Sequence, residues 1–182
     1  MSWGYVVMLD VTVPGASWEQ WQAFRPADFT LPDRWPSKSM AGRFQWETEA
    51  KDSFAKLTAY RSWIEGLAIK KGPTEVSIRI NTVFDRSLLY MAGLAPCLLW
   101  GAVRLGGLGR LYIVSDGSAD EPGWEISVQA DELVTRDLTD DEAYYLLDES
   151  LAGRIPMDLT AVRATPKSGR RHKNPVSGVI ED

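Results

Sequence analysis

Ten carboxylates lie between Asp116 and Glu142: Asp116, Asp120, Glu121, Glu125, Asp131, Glu132, Asp137, Asp140, Asp141 and Glu142. Side chains of this type can work as a paired acid and base on a glycosidic bond, or as an oxygen cage for magnesium or calcium. Their spacing fits no EF-hand. Most have a plainer reading: Asp116-Gly117 is turn chemistry, Thr139 with Glu142 is a capping box, Asp140 and Asp141 suit a positive helix end, and Glu125 alternates with apolar residues along a strand.

Other chemistries lack their residues. His172 is the only histidine and lies in a basic C-terminal stretch; Cys97 is the only cysteine and lies in an apolar one. A Ser-His-Asp triad, a Cys-His pair and a cysteine or histidine zinc site each need more than that. The run Gly106-Gly107-Leu108-Gly109-Arg110 follows an apolar helix, whereas phosphate-binding glycines precede one, so it reads as a helix stop and a tight turn. No catalytic residue, metal ligand or cofactor site is assigned.

Tryptophan is abundant, with eight at positions 3, 18, 21, 35, 46, 63, 100 and 124. Tryptophans anchor protein interfaces and also fill cores. Trp63 and Trp100 read as core, while Trp18, Trp35 and Trp124 stand near loops and are the expected contact residues. Charge is unevenly placed. The net charge is −5, but five basic and two acidic residues from Arg163 onward leave residues 1–162 with 15 basic and 23 acidic groups, a net of −8. Such a body repels nucleic acid and anionic lipid and speeds encounter with a basic protein. Arg170-Arg171-His172-Lys173, in the tail, carries no interleaved aromatic, and the tail is too poor in apolar groups to fold alone.

Residues 87–107, SLLYMAGLAPCLLWGAVRLGG, are the stretch that must position the rest. Their length and their Leu, Ala and Met content predict one long apolar helix packed on a sheet. Arg104, Pro96 and four glycines argue against a bilayer as its surroundings. Alternation predicts strands over 4–13 and 74–84 and a hairpin strand over 124–131 with a wet acidic face; 110–115 is short and apolar on both faces, as buried strands are, and a last strand is expected over 158–164. Ser17 with Gln20 predicts a short helix before Pro26, and Phe29, Leu31 and Trp35 pin a proline-rich loop over 26–40. A second helix is expected over 49–70, stopped by Gly72 and Pro73, and a third after Thr139 with Tyr144, Leu147 and Leu151 turned inward. The strand, helix and strand across 74–115 suggest a parallel crossover.

The fold class is therefore α+β: a mixed sheet of about five strands with three to four helices, a single domain over 1–165 and a flexible basic tail over 166–182. Met1-Ser2-Trp3 runs into a strand without a secretory leader, which points to the cytoplasm. The functional expectation is a non-catalytic protein-binding module. In kind it is similar to the bacterial immunity proteins, which bind and neutralise a cognate toxin; the likeness is one of size and charge, carried by no residue signature. The expected contact residues are Trp18, Trp35, Asp116, Asp120, Glu121, Trp124, Glu125, Asp131 and Glu132, facing a basic toxin. The alternatives are a small carboxylate-dependent hydrolase or transferase, and a membrane-associated accessory protein.

Overall fold

The fold comes from a computed structural model, described for residues 5–23, 57, 64, 66–84, 89–115, 122–129 and 132–164. Its strands are β1 (Tyr5–Pro14), β2 (Ala68–Lys71), β3 (Glu75–Phe84), β4 (Leu108–Ser115), β5 (Gly123–Gln129) and β6 (Glu132–Asp137). Its helices are α1 (Trp18–Ala23), α2 (Leu89–Arg104), α3 (Asp140–Leu151) and α4 (Thr160–Ala164). The strands form one open sheet in the order β2-β3-β1-β4-β5-β6, and every neighbouring pair is antiparallel.

The α+β class stands, but the mixed sheet and the adjacent parallel pair do not. β3 and β4 do run the same way, yet β1 lies between them and bonds to both, with Leu9 opposite Ile80 on one side and Leu111 on the other. The reason is in the composition of β1. Tyr5, Val7, Leu9, Val11 and Val13 fill one face and Val6 and Met8 the other, so the strand is buried on both sides and belongs at the centre.

On the first face, α2 packs Leu94, Ala95, Leu98, Leu99 and Ala102 over β1, β3 and β4, and Trp21 of α1 joins them. The Trp21 indole N–H donates to the Leu98 carbonyl at 3.2 Å, so a core tryptophan also ties α1 to α2. The apolar helix is sixteen residues, shorter than expected, because Gly106 takes a positive φ of 80° and the Gly107 amide closes back on the Ala102 carbonyl at 2.8 Å. Among the described residues no helix is long and apolar enough to cross a membrane. On the second face, Val6, Met8, Tyr112 and Val114 meet Ala143 and Leu146 of α3, with Leu138, Ile155 and Leu159 from its flanks.

Gly109 of β4 lies directly against Leu99 of α2. A Cβ there would stand 2.7 Å from Leu99 Cδ1 and 2.9 Å from Val11 Cγ2. Gly109→Ala is therefore expected to overpack this junction and cost about 1–3 kcal/mol, read as a lower urea midpoint with an unchanged m-value.

Four local expectations are corrected. Residues 68–71 are a strand, not a helix end: the Gly72 amide donates to the Glu75 carbonyl at 2.8 Å and closes a hairpin into β3, and Gly66, with φ of 73°, is the left-handed residue. Lysines, glycine and proline serve a turn as readily as a helix stop. The segment expected as a last strand holds α4, where the Asp158 carboxylate accepts the Thr160 amide at 2.9 Å. β6 is an additional strand. Finally, Tyr144 and Leu151 point outward, and Ala143 and Leu146 inward. Of the rest of the expected 49–70 helix, Leu57 is helical and buried, Ile64 is buried but not helical, and Gly66 and Leu67 form a turn into β2; its other residues, the 26–40 loop and the tail lie outside the described residues.

Candidate functional site

The hairpin of β5 and β6 places Glu125 opposite Arg136, and the β4–β5 pairing places Tyr112 opposite Glu125. The three stand in one row on the second face of the sheet, the face that α3 and α4 cover. Arg136 reaches Glu125 through Nη2 at 2.6 Å and Glu142 through Nη1 at 2.9 Å. Arg163, from α4, donates to Glu142 through Nε at 2.8 Å and to Glu125 through Nη2 at 2.9 Å. Two carboxylates thus share two guanidiniums.

Glu142 is the hub. Its side chain is 3% exposed, and besides the two arginines it accepts the Thr139 amide at 2.9 Å while Thr139 Oγ1 accepts the Glu142 amide at 3.3 Å. This completes the capping box expected from the sequence. Burial alone would raise the Glu142 pKa, but hydrogen bonds from Arg136, the Thr139 amide and Arg163 outweigh it and bring it down to about 2. Burial pushes the Tyr112 phenol up to about 12, with the Glu125 charge adding to it. Burial likewise pushes the Cys97 thiol up to about 12, where it is no nucleophile at neutral pH.

The chemistry of this arrangement is fastening. A general acid must hold its proton near the working pH, and Glu142 gives its proton up far below it. No known protein family, curated protein or solved structure matches the chain. The reading of the site therefore rests on its geometry.

The expected contact residues that are described, Trp18, Trp124, Glu125 and Glu132, do not form one exposed surface. Trp124 is 4% exposed and faces the core, with its ring 6.1 Å from that of Tyr5, so it is no surface anchor. Its place near a loop does not expose it, because the face of β5 opposite Glu125 packs into the core beneath α2. Glu125 is held by Arg136 and Arg163, so the hairpin's second face is neither free nor simply acidic. Trp18 packs edge-on against Trp21 at 5.9 Å, beneath the Lys71 ammonium at 4.7 Å. It follows the C-terminal end of β1, whereas Trp124 meets Tyr5 at the other end, about 30 Å along a ten-residue strand. Glu132 opens β6 opposite Gln129. Trp35, Asp116, Asp120, Glu121 and Asp131 lie outside the described residues.

Arg136 and Arg163 escaped the sequence reading. Arg136 was findable, since a tight β5–β6 hairpin puts it beside Glu125; Arg163 was counted with the tail, and nothing local ties it to residues 21 and 38 positions earlier.

Glu19, Glu75, Asp137 and Asp158 are exposed at scattered places, but three exposed acids stand together on the outer side of α3. Asp140, Asp141 and Asp148 are exposed there, in a helix with no basic residue, beside Tyr144 at 59% and Leu151 at 88% exposed. At 100° per residue these five fall within about a 100° arc, opposite Ala143 and Leu146. Arg154, three residues past the end of the helix, is paired with Glu149 at 2.6 Å. The result is an apolar stripe rimmed by carboxylates.

Proposed function

We propose that the chain is a non-catalytic protein-binding module, an immunity-type protein of the cytoplasm that binds and neutralises a basic cognate toxin through an acidic surface. The observation that supports this reading is the outward face of α3. Exposed Tyr144 and Leu151 offer an aromatic and an aliphatic contact, and Asp140, Asp141 and Asp148 surround them with negative charge. Patches of apolar side chains with a charged rim are the usual make-up of protein interfaces. The net charge of −5 disfavours nucleic acid and anionic membranes as the partner. The working surface is thus shifted from the β5 hairpin to α3, because the hairpin's carboxylate is neutralised from within.

Co-expression with toxin-like products of neighbouring genes tests the proposal. One of them is expected to lose its toxicity and to co-purify with this chain as a stable complex. Asp141→Lys with Asp148→Lys is expected to slow association about tenfold and to flatten its salt dependence, since rim charges act mainly on encounter. Growth restored by no candidate, or a complex indifferent to both reversals, would overturn it.

A further inference from the structure

We propose that the chain's own basic tail, through Arg170-Arg171-His172-Lys173, docks on the outward face of α3 and competes there with the basic partner. The inference rests on the proposed function for its biological use and on the geometry of α3 and α4 for its physics.

Charge and reach both favour this occupant. The face carries three exposed aspartates on a helix without a single basic residue, and the tail supplies four basic residues from Lys167 to Lys173. α4 packs against α3 and ends at Ala164, so the tail begins beside its target. Residues 165–169 span up to about 17 Å when extended, more than the 10–12 Å diameter of the helix they must round. Past the basic run, Val176, Val179 and Ile180 are apolar and suit Tyr144 and Leu151. A short tether raises the local concentration of the tail to about the millimolar range, so even a weak contact is substantially occupied. A partner must then displace the tail, and its apparent affinity is lowered by that competition.

The full chain can be tested directly. Cys97 is buried and its thiol is unreactive, so a spin label on Ser177→Cys attaches selectively. At low salt the amide signals of Asp141, Tyr144, Asp148 and Leu151 are expected to lose most of their intensity, and to recover near 0.5 M salt, where screening shortens the Debye length to about 4 Å. Arg170→Glu with Arg171→Glu and Lys173→Glu should abolish the effect. The same tail reversal should let an added peptide of residues 165–182 bind at least about five-fold more tightly to the chain. Broadening that is absent, or spread equally over α1 and β2, overturns the inference, as does a peptide affinity unchanged by the reversal. A tail that fails to dock while Asp141→Lys still weakens toxin binding removes only this inference; a tail that docks in a chain that rescues no toxin removes the proposed function instead.

Discussion

Glu142→Ala is expected to lower stability by about 2–3 kcal/mol, with a fall in melting temperature of about 5–10 °C for a chain of this size. Truncating one member of a buried ion pair costs about 3–5 kcal/mol when the remaining charge is stranded. Here the stranded groups are Arg136 and Arg163, whose side chains are 38% and 47% exposed, so water can partly take over and the cost falls below that range. The alanine also opens the capping box by leaving the Thr139 amide without its acceptor. Glu142→Gln separates the two losses, because an amide oxygen can still accept from Thr139 while the charge is gone; about half of the effect should remain. Chemical denaturation of the three proteins at one pH is the measurement, and an alanine variant as stable as the parent would sink the account of Glu142 as the hub.

The same residue sets a pH dependence whose sign follows from its depressed pKa. The carboxyl titrates at about 4.5 when unperturbed and at about 2 in the fold. Its stabilising contribution is therefore complete above about pH 5 and is lost as pH falls from 4.5 towards 2. The stability difference between the parent and Glu142→Gln should narrow over that window and stay constant from pH 5 to 8. Arg163 adds a spatial consequence. α4 buries none of its own residues, and Leu159 at its start and the two bonds from Arg163 are among the contacts that hold it. Arg163→Ala should accordingly raise amide exchange in α4 well before it affects β1 or β4.

What the sequence disclosed and what it hid divide along physical lines. Period-two alternation exposed β1, β3 and β5, and a short run apolar on both faces exposed β4, because a strand's faces are set by its own residues. The partner of each strand is decided by burial on both faces and by the space left by other elements, and so the insertion of β1 between β3 and β4 was not legible from local pattern. The Thr139 and Glu142 capping box was legible because cap and acceptor are three residues apart. The rotation of α3 was not, since Tyr144, Leu147 and Leu151 form as regular a stripe as Ala143 and Leu146. Arg136 and Arg163, bonded to Glu142 from other elements, help turn the second stripe to the sheet and leave Tyr144 and Leu151 of the first in solvent, while Leu147 stays half-buried against the core. An inward glutamate carried that information, and it has meaning only once its arginines are in place.

Trp124→Ala is expected to cost about 3–5 kcal/mol, more than the same truncation of the half-buried Trp18. The side chain lies in the main core with Ile113 across from it on β4 and the Tyr5 ring alongside, and its removal leaves a cavity bounded by β-strands that cannot close in. Set against a typical stability of about 5–15 kcal/mol, a loss of this size would leave a sizeable unfolded fraction. Binding would then weaken in proportion to unfolding and return when the variant is assayed at lower temperature or in a stabilising osmolyte. Tyr144→Ala should behave in the opposite way. With the ring more than half exposed, its loss should change stability by less than about 1 kcal/mol. Under the proposed function, however, it should shorten the lifetime of the complex about ten-fold or more, since aromatic anchors act chiefly on dissociation. Measuring denaturation and complex lifetime on both variants decides between the two tryptophan roles. If Trp124→Ala leaves the fold intact and abolishes binding, the ring is an anchor after all and the α3 face loses its claim.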